Sequence, residues 1–267
     1  MIRLAAFDLD GTLVDKYLVL SARLRESVSR AHIQGTIITI ATGREVRFST
    51  RFARELGLTA PIICAQGGYI FDFREDRVLH DVRLQPEIMP HVIEAAAHYG
   101  WNLHFDTAGH SYLPSVSGHP PILFELMRYS QWSRVDDFLL DIPERPHKFI
   151  ITLNHPEDRE RVMSELCAVF NGQVRIFPSH AYLIEGVPSG VTKGSGLAWL
   201  ADYYQISQSE VMAMGDDDND VPMIEWAGLG VAAGNASLAA KAVADWIAPP
   251  VTEDGAAVAI EKFILCK

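Results

Sequence analysis

The sequence predicts an α/β fold: a doubly wound, mostly parallel sheet core that carries an inserted α+β domain. Three observations predict it. Apolar, β-branched runs alternate with stretches of helical periodicity up to Ala65. That rhythm changes near Leu84 and resumes near Val187. Acidic residues crowd the C-terminal ends of two apolar runs, residues 2–6 and 211–214, which is where open α/β sheets place their ligands.

Taken in order, residues 2–6 read as a buried strand. Residues 21–34 carry Leu24, Val28 and Ala31 at helical spacing, with Ser21 as cap and Gly35 as stop. Residues 36–41 form a second buried strand ending at Thr42-Gly43-Arg44. A helix over 45–56 and a strand over 61–65 complete a β-α-β-α-β unit, hence a parallel sheet with right-handed crossovers. Gln66-Gly67-Gly68 closes that strand, and residues 69–71 and 78–80 read as a hairpin about Arg74-Glu75-Asp76.

Beyond Leu84 the pattern gives a helix (86–99), an alternating strand (101–105), irregular Pro-containing chain (107–121) and a short helix (123–127). A strand (148–153), a helix (158–170) and two strands (174–177, 182–187) follow, the profile of an α+β unit on an antiparallel sheet. The insert is therefore residues 84–186, with hinges at 81–84 and at Pro188-Ser189-Gly190. The core comprises residues 1–83 and 187–267. In its second part Lys193 opens a helix to about 204. Residues 211–214 are a strand that delivers Gly215-Asp216-Asp217-Asp218-Asn219-Asp220, with a helix running on to about 227. Strands at 229–232 and 245–247 and a helix at 255–263 finish the sheet.

The chain has 267 residues, is 48% hydrophobic and carries a net charge of −11. That balance disfavours nucleic acid and anionic membrane surfaces as partners, both of which reward basic patches. A phosphorylated small molecule is compatible, because a bound cation sets the local field. The three cysteines, Cys64, Cys167 and Cys266, are widely spaced and odd in number, which fits a reducing cytoplasm. Met1 leads straight into the first strand, with no leader pattern and no apolar run of membrane-spanning length, so a soluble, cytoplasmic protein is expected.

Asp8 and Asp10 stand two residues apart where the first strand ends, and Gly11 permits the turn that keeps them together. Such a pair suits a hard cation such as Mg²⁺, with one acid free to attack phosphorus and the other to handle protons. Asp216 and Asp220 stand at another strand exit. If the two strands are neighbours, the carboxylates converge and repel unless a divalent cation is present. Thr42, Gly43 and Arg44 offer a hydroxyl, an unhindered amide and a cationic fork to a phosphate oxygen. Lys193 opposes its helix dipole, which points to an anionic partner. Other readings fail on spacing. A calcium loop starting at Asp216 would need Gly at Val221 and Glu at Ala227. Gly228-x-Gly230-x-x-Ala233 overlaps its strand instead of following it. Lys193 lacks the preceding glycine of a Walker A loop.

Asp8-x-Asp10-Gly11-Thr12, Thr42, Lys193 and Gly215-Asp216-x-x-Asn219-Asp220 together resemble the four motifs of the haloacid dehalogenase-like phosphohydrolase superfamily. Order and spacing resemble its Cof-type, sugar-phosphatase-like branch, a Rossmann-like core with a cap inserted between the second and third motifs. The resemblance implies a Mg²⁺-dependent phosphatase that cleaves a small phosphorylated metabolite through an aspartyl-phosphate. In that scheme Asp8 is the nucleophile. Asp10 protonates the leaving oxygen and then activates water. Asp8, the Asp10 carbonyl and Asp216 hold Mg²⁺, supported by Asp220. Thr42, Lys193, Asn219 and the amides of Leu9 and Gly43 contact the phosphoryl oxygens. The cap is long enough to fold over the site and exclude water. One departure is visible: Gln66-Gly67-Gly68 stands where the branch has Asn-Gly-Ala. A phosphomutase would use the same paired aspartates but return the phosphoryl group to substrate. A phospho-accepting signalling module also sets Asp, Thr and Lys around Mg²⁺, but the insert and Asp10 argue against a switch. The insert's histidines, His104, His110, His119, His147 and His180, and its Trp101 and Trp132 read as packing or surface residues.

Overall fold

A computed structural model of the chain describes residues 1–115 and 118–266. The chain forms two compact units, Met1–His80 with Thr192–Lys267, and Asp81–Val191. The first begins with β1 (Leu4–Phe7), buried along its whole length. α1 (Ala22–Ile33) is capped by the Ser21 hydroxyl, which accepts a hydrogen bond from the Leu24 amide at 3.0 Å. β2 (Ile37–Ile40), α2 (Val46–Glu55), β3 (Ile62–Cys64), β4 (Tyr69–Asp72) and β5 (Arg77–Asp81) follow.

The second unit contains α3 (Ile88–Tyr99), β6 (Asn102–Asp106), β7 (Ser111–Pro114), α4 (Pro121–Leu126), β8 (Trp132–Val135) and α5 (Phe138–Asp141). β9 (Lys148–Thr152), α6 (Arg159–Phe170), β10 (Val174–His180) and β11 (Leu183–Pro188) complete it. Its six strands run in the order β10-β11-β9-β6-β7-β8. One face of the sheet, with Leu103, Phe105, Phe149 and Ile151, packs on Val92 and Ala96 of α3 and on Val162 and Leu166 of α6. Gly186 is required there: a Cβ would fall 2.1 Å from the Phe149 ring. Two sequence expectations are corrected. The stretch 107–121, read as irregular, contains β7, and its positions 116 and 117 lie outside the described residues. The sheet is not wholly antiparallel, because β7 and β8 pair in parallel.

The chain returns through α7 (Lys193–Tyr203), β12 (Val211–Gly215), α8 (Val221–Trp226), β13 (Leu229–Ala232), α9 (Leu238–Val243), β14 (Trp246–Ile247) and α10 (Gly255–Ile260). Five parallel strands form the core sheet in the order β14-β13-β12-β1-β2. Alternation along its strands makes it doubly wound. Ala5, Phe7, Met212 and Met214 join Leu24, Val28 and Ile260 on one face. Leu4, Ala6, Val211 and Ala213 join Leu197, Leu200, Met223 and Ile224 on the other. β3 lies parallel at the β2 edge of this sheet, as expected, but its contact there is short. It meets the sheet through one bridge, Ala41 to Ile63, and ladders antiparallel with β4, because the turn after Cys64 folds Tyr69 straight back on it. Among the described residues no helix is long and apolar enough to cross a membrane.

Candidate active site

β1 and β12 are neighbours, Phe7 beside Met214, so the acids that follow them leave the sheet side by side. The Asp8 amide donates to the Met214 carbonyl at 2.8 Å and continues the ladder by one residue. Gly11 has φ +86°, and a Cβ on it would fall 2.1 Å from an Asp216 carboxylate oxygen. Glycine thus serves both the turn and the close approach of the two loops. Thr12 donates its hydroxyl to Asp216 Oδ1 at 3.1 Å.

Asp220 is fully buried. Its Oδ2 accepts the amides of Asp216 at 2.8 Å and Asp217 at 3.0 Å, which folds the acidic loop around it. Gly215 leaves room for that fold, since a Cβ there would sit 2.4 Å from Asp220. Lys193 opens α7 just after its cap, Thr192, whose hydroxyl accepts the Ser195 amide at 2.9 Å. Its ammonium donates to Asp8 Oδ1 at 2.5 Å and to Asp220 Oδ1 at 2.6 Å. Two carboxylates therefore offset the unfavourable end of the helix dipole.

Oxygen atoms of Asp8, Asp216 and Asp220 all lie within 4.8 Å of one another. Burial raises the Asp8 carboxyl well above the usual range. Lys193 pulls it back, and the Asp220, Asp216 and Asp10 charges push it further up. Burial, then the Asp220 charge, pushes Asp216 up to about 7 against the Thr12 hydrogen bond. Burial disfavours the charge on Lys193, but Asp220 and Asp8 hold its pKa above the ordinary lysine value. An excess of hard oxygen donors over positive charge fits a divalent cation such as Mg²⁺.

The remaining predicted residues surround this centre. Thr42 is buried, and its Oγ1 accepts the Arg44 amide at 3.2 Å. The Arg44 guanidinium grips Asp10 with two bonds, Nε to Oδ2 and Nη2 to Oδ1, each 2.9 Å, and lies over the Phe48 ring. Leu9 buries its side chain in the core, so its backbone alone faces the loop. Asn219 donates through Nδ2 to Gln66 Oε1 at 3.1 Å. The structure thus unites Asp8, Asp216, Asp220 and Lys193, and pairs Asp10 with Arg44. The sequence reading gave no role to Gln66 or Asn235. Asn235 bridges Gly11 O at 2.9 Å and Asp216 Oδ2 at 3.3 Å. Its only sequence signal is a position just before the Ser237 cap of α9.

The family described as haloacid dehalogenase-like hydrolase matches residues 5–260. The chain is 29% identical, over 99% of its length and 96% of the relative's, to the 5-amino-6-(5-phospho-D-ribitylamino)uracil phosphatase YcsE of Bacillus subtilis. It is 28% identical, over 88% of its length and 85% of the relative's, to the HMP-PP phosphatase of Cronobacter sakazakii. The solved structure of a haloacid dehalogenase-like hydrolase from Bacteroides thetaiotaomicron superposes with a TM-score of 0.86, at 31% identity, covering 98% of this chain and 99% of that one.

Proposed function

The chain belongs to the haloacid dehalogenase-like hydrolases, and from that membership we propose that it is a Mg²⁺-dependent phosphatase of a small phosphorylated metabolite, a sugar phosphate or similar monoester. The observation that carries the reading is the meeting of Asp8, Asp216 and Asp220 around Lys193 at one strand edge. Asp8 attacks phosphorus and becomes the aspartyl-phosphate, while Asp10 gives a proton to the leaving oxygen. Asp10 then takes a proton from the water that hydrolyses the acyl phosphate. Lys193, Thr42, Asn219 and the amides of Leu9 and Gly43 hold the phosphoryl oxygens, where fixed donors contribute most. Arg44, whose fork grips Asp10, holds that acid in place, and its guanidinium is the further cation we assign to a phosphate oxygen. Asp8, the Asp10 carbonyl and Asp216 are the residues to hold Mg²⁺, with Asp220 steadying them. When bound, the ion neutralises charge on the carboxylates and on the transferring phosphoryl group. The two relatives named above are described as phosphatases, which supports the reaction class.

A panel of phosphorylated metabolites, assayed for free phosphate with Mg²⁺ and with EDTA, tests the reading. Wild type is expected to release phosphate only with the metal, and Asp8→Asn to lose about 10³-fold or more in kcat while keeping its fold. Free phosphate as product separates a hydrolase from a phosphomutase. Full turnover by Asp8→Asn would sink the proposal.

A further inference from the structure

The turn after β3 holds Gln66 at φ +61° and ψ +21°, with Ala65 before it at φ +48°. Residues with a Cβ rarely adopt this left-handed conformation, and it persists only where the surroundings impose it. The Gln66 side chain is nonetheless buried, at 2% exposure. Its backbone amide donates to the Thr42 carbonyl at 3.1 Å. Its Nε2 occupies the space above Gly43, 2.4 Å from where a Cβ would stand, and its Oε1 accepts from Asn219 at 3.1 Å. The next residue, Gly67, packs on the start of α7. A Cβ there would fall 1.9 Å from the Thr192 carbonyl oxygen. One buried turn thus touches the Thr42–Gly43 loop, the Lys193 helix and the Asp216–Asp220 loop.

We propose that Gln66 is a positioning residue whose carboxamide straps Asn219 to the Gly43 backbone and so aims the remaining Asn219 donor at the phosphoryl group. An asparagine amide has two N–H donors and one acceptor. Engaging one N–H fixes both the plane and the sense of the group, leaving the second N–H a single direction. The inference rests on the phosphatase reading, because its effect is read through turnover.

The test is a double-variant cycle on phosphate release, with wild type, Gln66→Met, Asn219→Ala and the pair, and a thermal melt of each. Methionine matches glutamine in length and lacks the amide. Gln66→Met is expected to lose about tenfold in kcat/KM, the worth of one hydrogen bond, mainly in kcat. The pair is expected to be no slower than Asn219→Ala within about twofold, because the strap acts only through Asn219. Effects that multiply, or a Gln66→Met enzyme as fast as wild type, overturn the proposal. Should Gln66→Met melt well below wild type, the cycle is read at a temperature at which all four proteins remain folded. A pair as fast as Asn219→Ala there supports the strap, and a pair slower by the product of the two single effects overturns it. Full turnover by Asp8→Asn would instead remove the phosphatase reading, whereas a dead Asp8→Asn beside an unimpaired Gln66→Met removes the strap alone.

Discussion

Lys193→Met is the most informative single change in the core. It leaves an unbranched side chain of similar length but removes the ammonium that Asp8 and Asp220 share at 2.5 and 2.6 Å. The side chains of Lys193, Asp8 and Asp220 are 2%, 7% and 1% exposed, so water screens neither contact. Removing one partner of a buried ion pair costs about 3–5 kcal/mol. The upper end applies here, because two carboxylates lose their counter-charge and Asp216 adds a third. For a domain of this size each kcal/mol moves Tm by roughly 2–4 °C, so the upper end gives a fall of about 10–20 °C. Calorimetry in EDTA reads the fall directly. Added Mg²⁺ is then expected to raise the variant's Tm by more than it raises that of wild type, because the ion takes over neutralisation of the carboxylates. A variant that melts within about 2 °C of wild type in EDTA refutes the electrostatic account of this centre.

Two further changes probe other parts of the chain. Gly67→Ala places a Cβ 1.9 Å from the Thr192 carbonyl oxygen at φ +102°, whereas Gly57→Ala, at φ +65°, meets nothing within 4 Å. Urea unfolding is expected to show a loss on the order of 3–5 kcal/mol for the first and about 1 kcal/mol for the second, and equal losses would refute the packing argument. In the second unit, burial pushes His104 down to about 3, helped by the His119 and Lys148 charges and opposed by Glu185. The unfolded chain, titrating near 6.5, then binds the extra proton first, so stability is fully present above pH ~6.5 and declines as pH falls toward 3. His104→Leu should therefore flatten the fall of Tm between about pH 6.5 and 5, and curves parallel to wild type would count against it.

What was legible in the sequence depended on whether the signal was local. Asp8, Thr42, Lys193 and Asp216 each end or begin an element whose periodicity is plain, so their common edge followed once β1 and β12 were taken as neighbours. β8 and α9 were not anticipated. Trp132-Ser133-Arg134-Val135 is a four-residue edge strand with one buried side chain, and Leu238–Val243 spans under two turns with only Ala240 buried. Neither is long enough for a period to stand out. The antiparallel ladder of β3 with β4, beside its single parallel bridge to the core sheet, is decided by tertiary contact and not by the apolar run itself. Arg44 illustrates the same limit for chemistry. Its fork suits a phosphate, but in the structure it grips Asp10, 34 positions earlier in the chain. Gln66 stood out only as an unusual residue at its place. Its function depends on Asn219, 153 positions away.

The separation of Asp8 from Lys193 by 185 positions has a consequence for biosynthesis. At ribosomal speeds of about 5–20 residues per second, the N-terminal carboxylate waits roughly 10–40 s before its ammonium emerges. All strands of the intervening unit are synthesised in that interval, so its sheet can close on the nascent chain while β1 still lacks β12. The reactive edge is thus assembled late: a chain stopped before Val211 lacks β12 and the loop after it, and with them Asp216 and Asp220, two of the three clustered carboxylates.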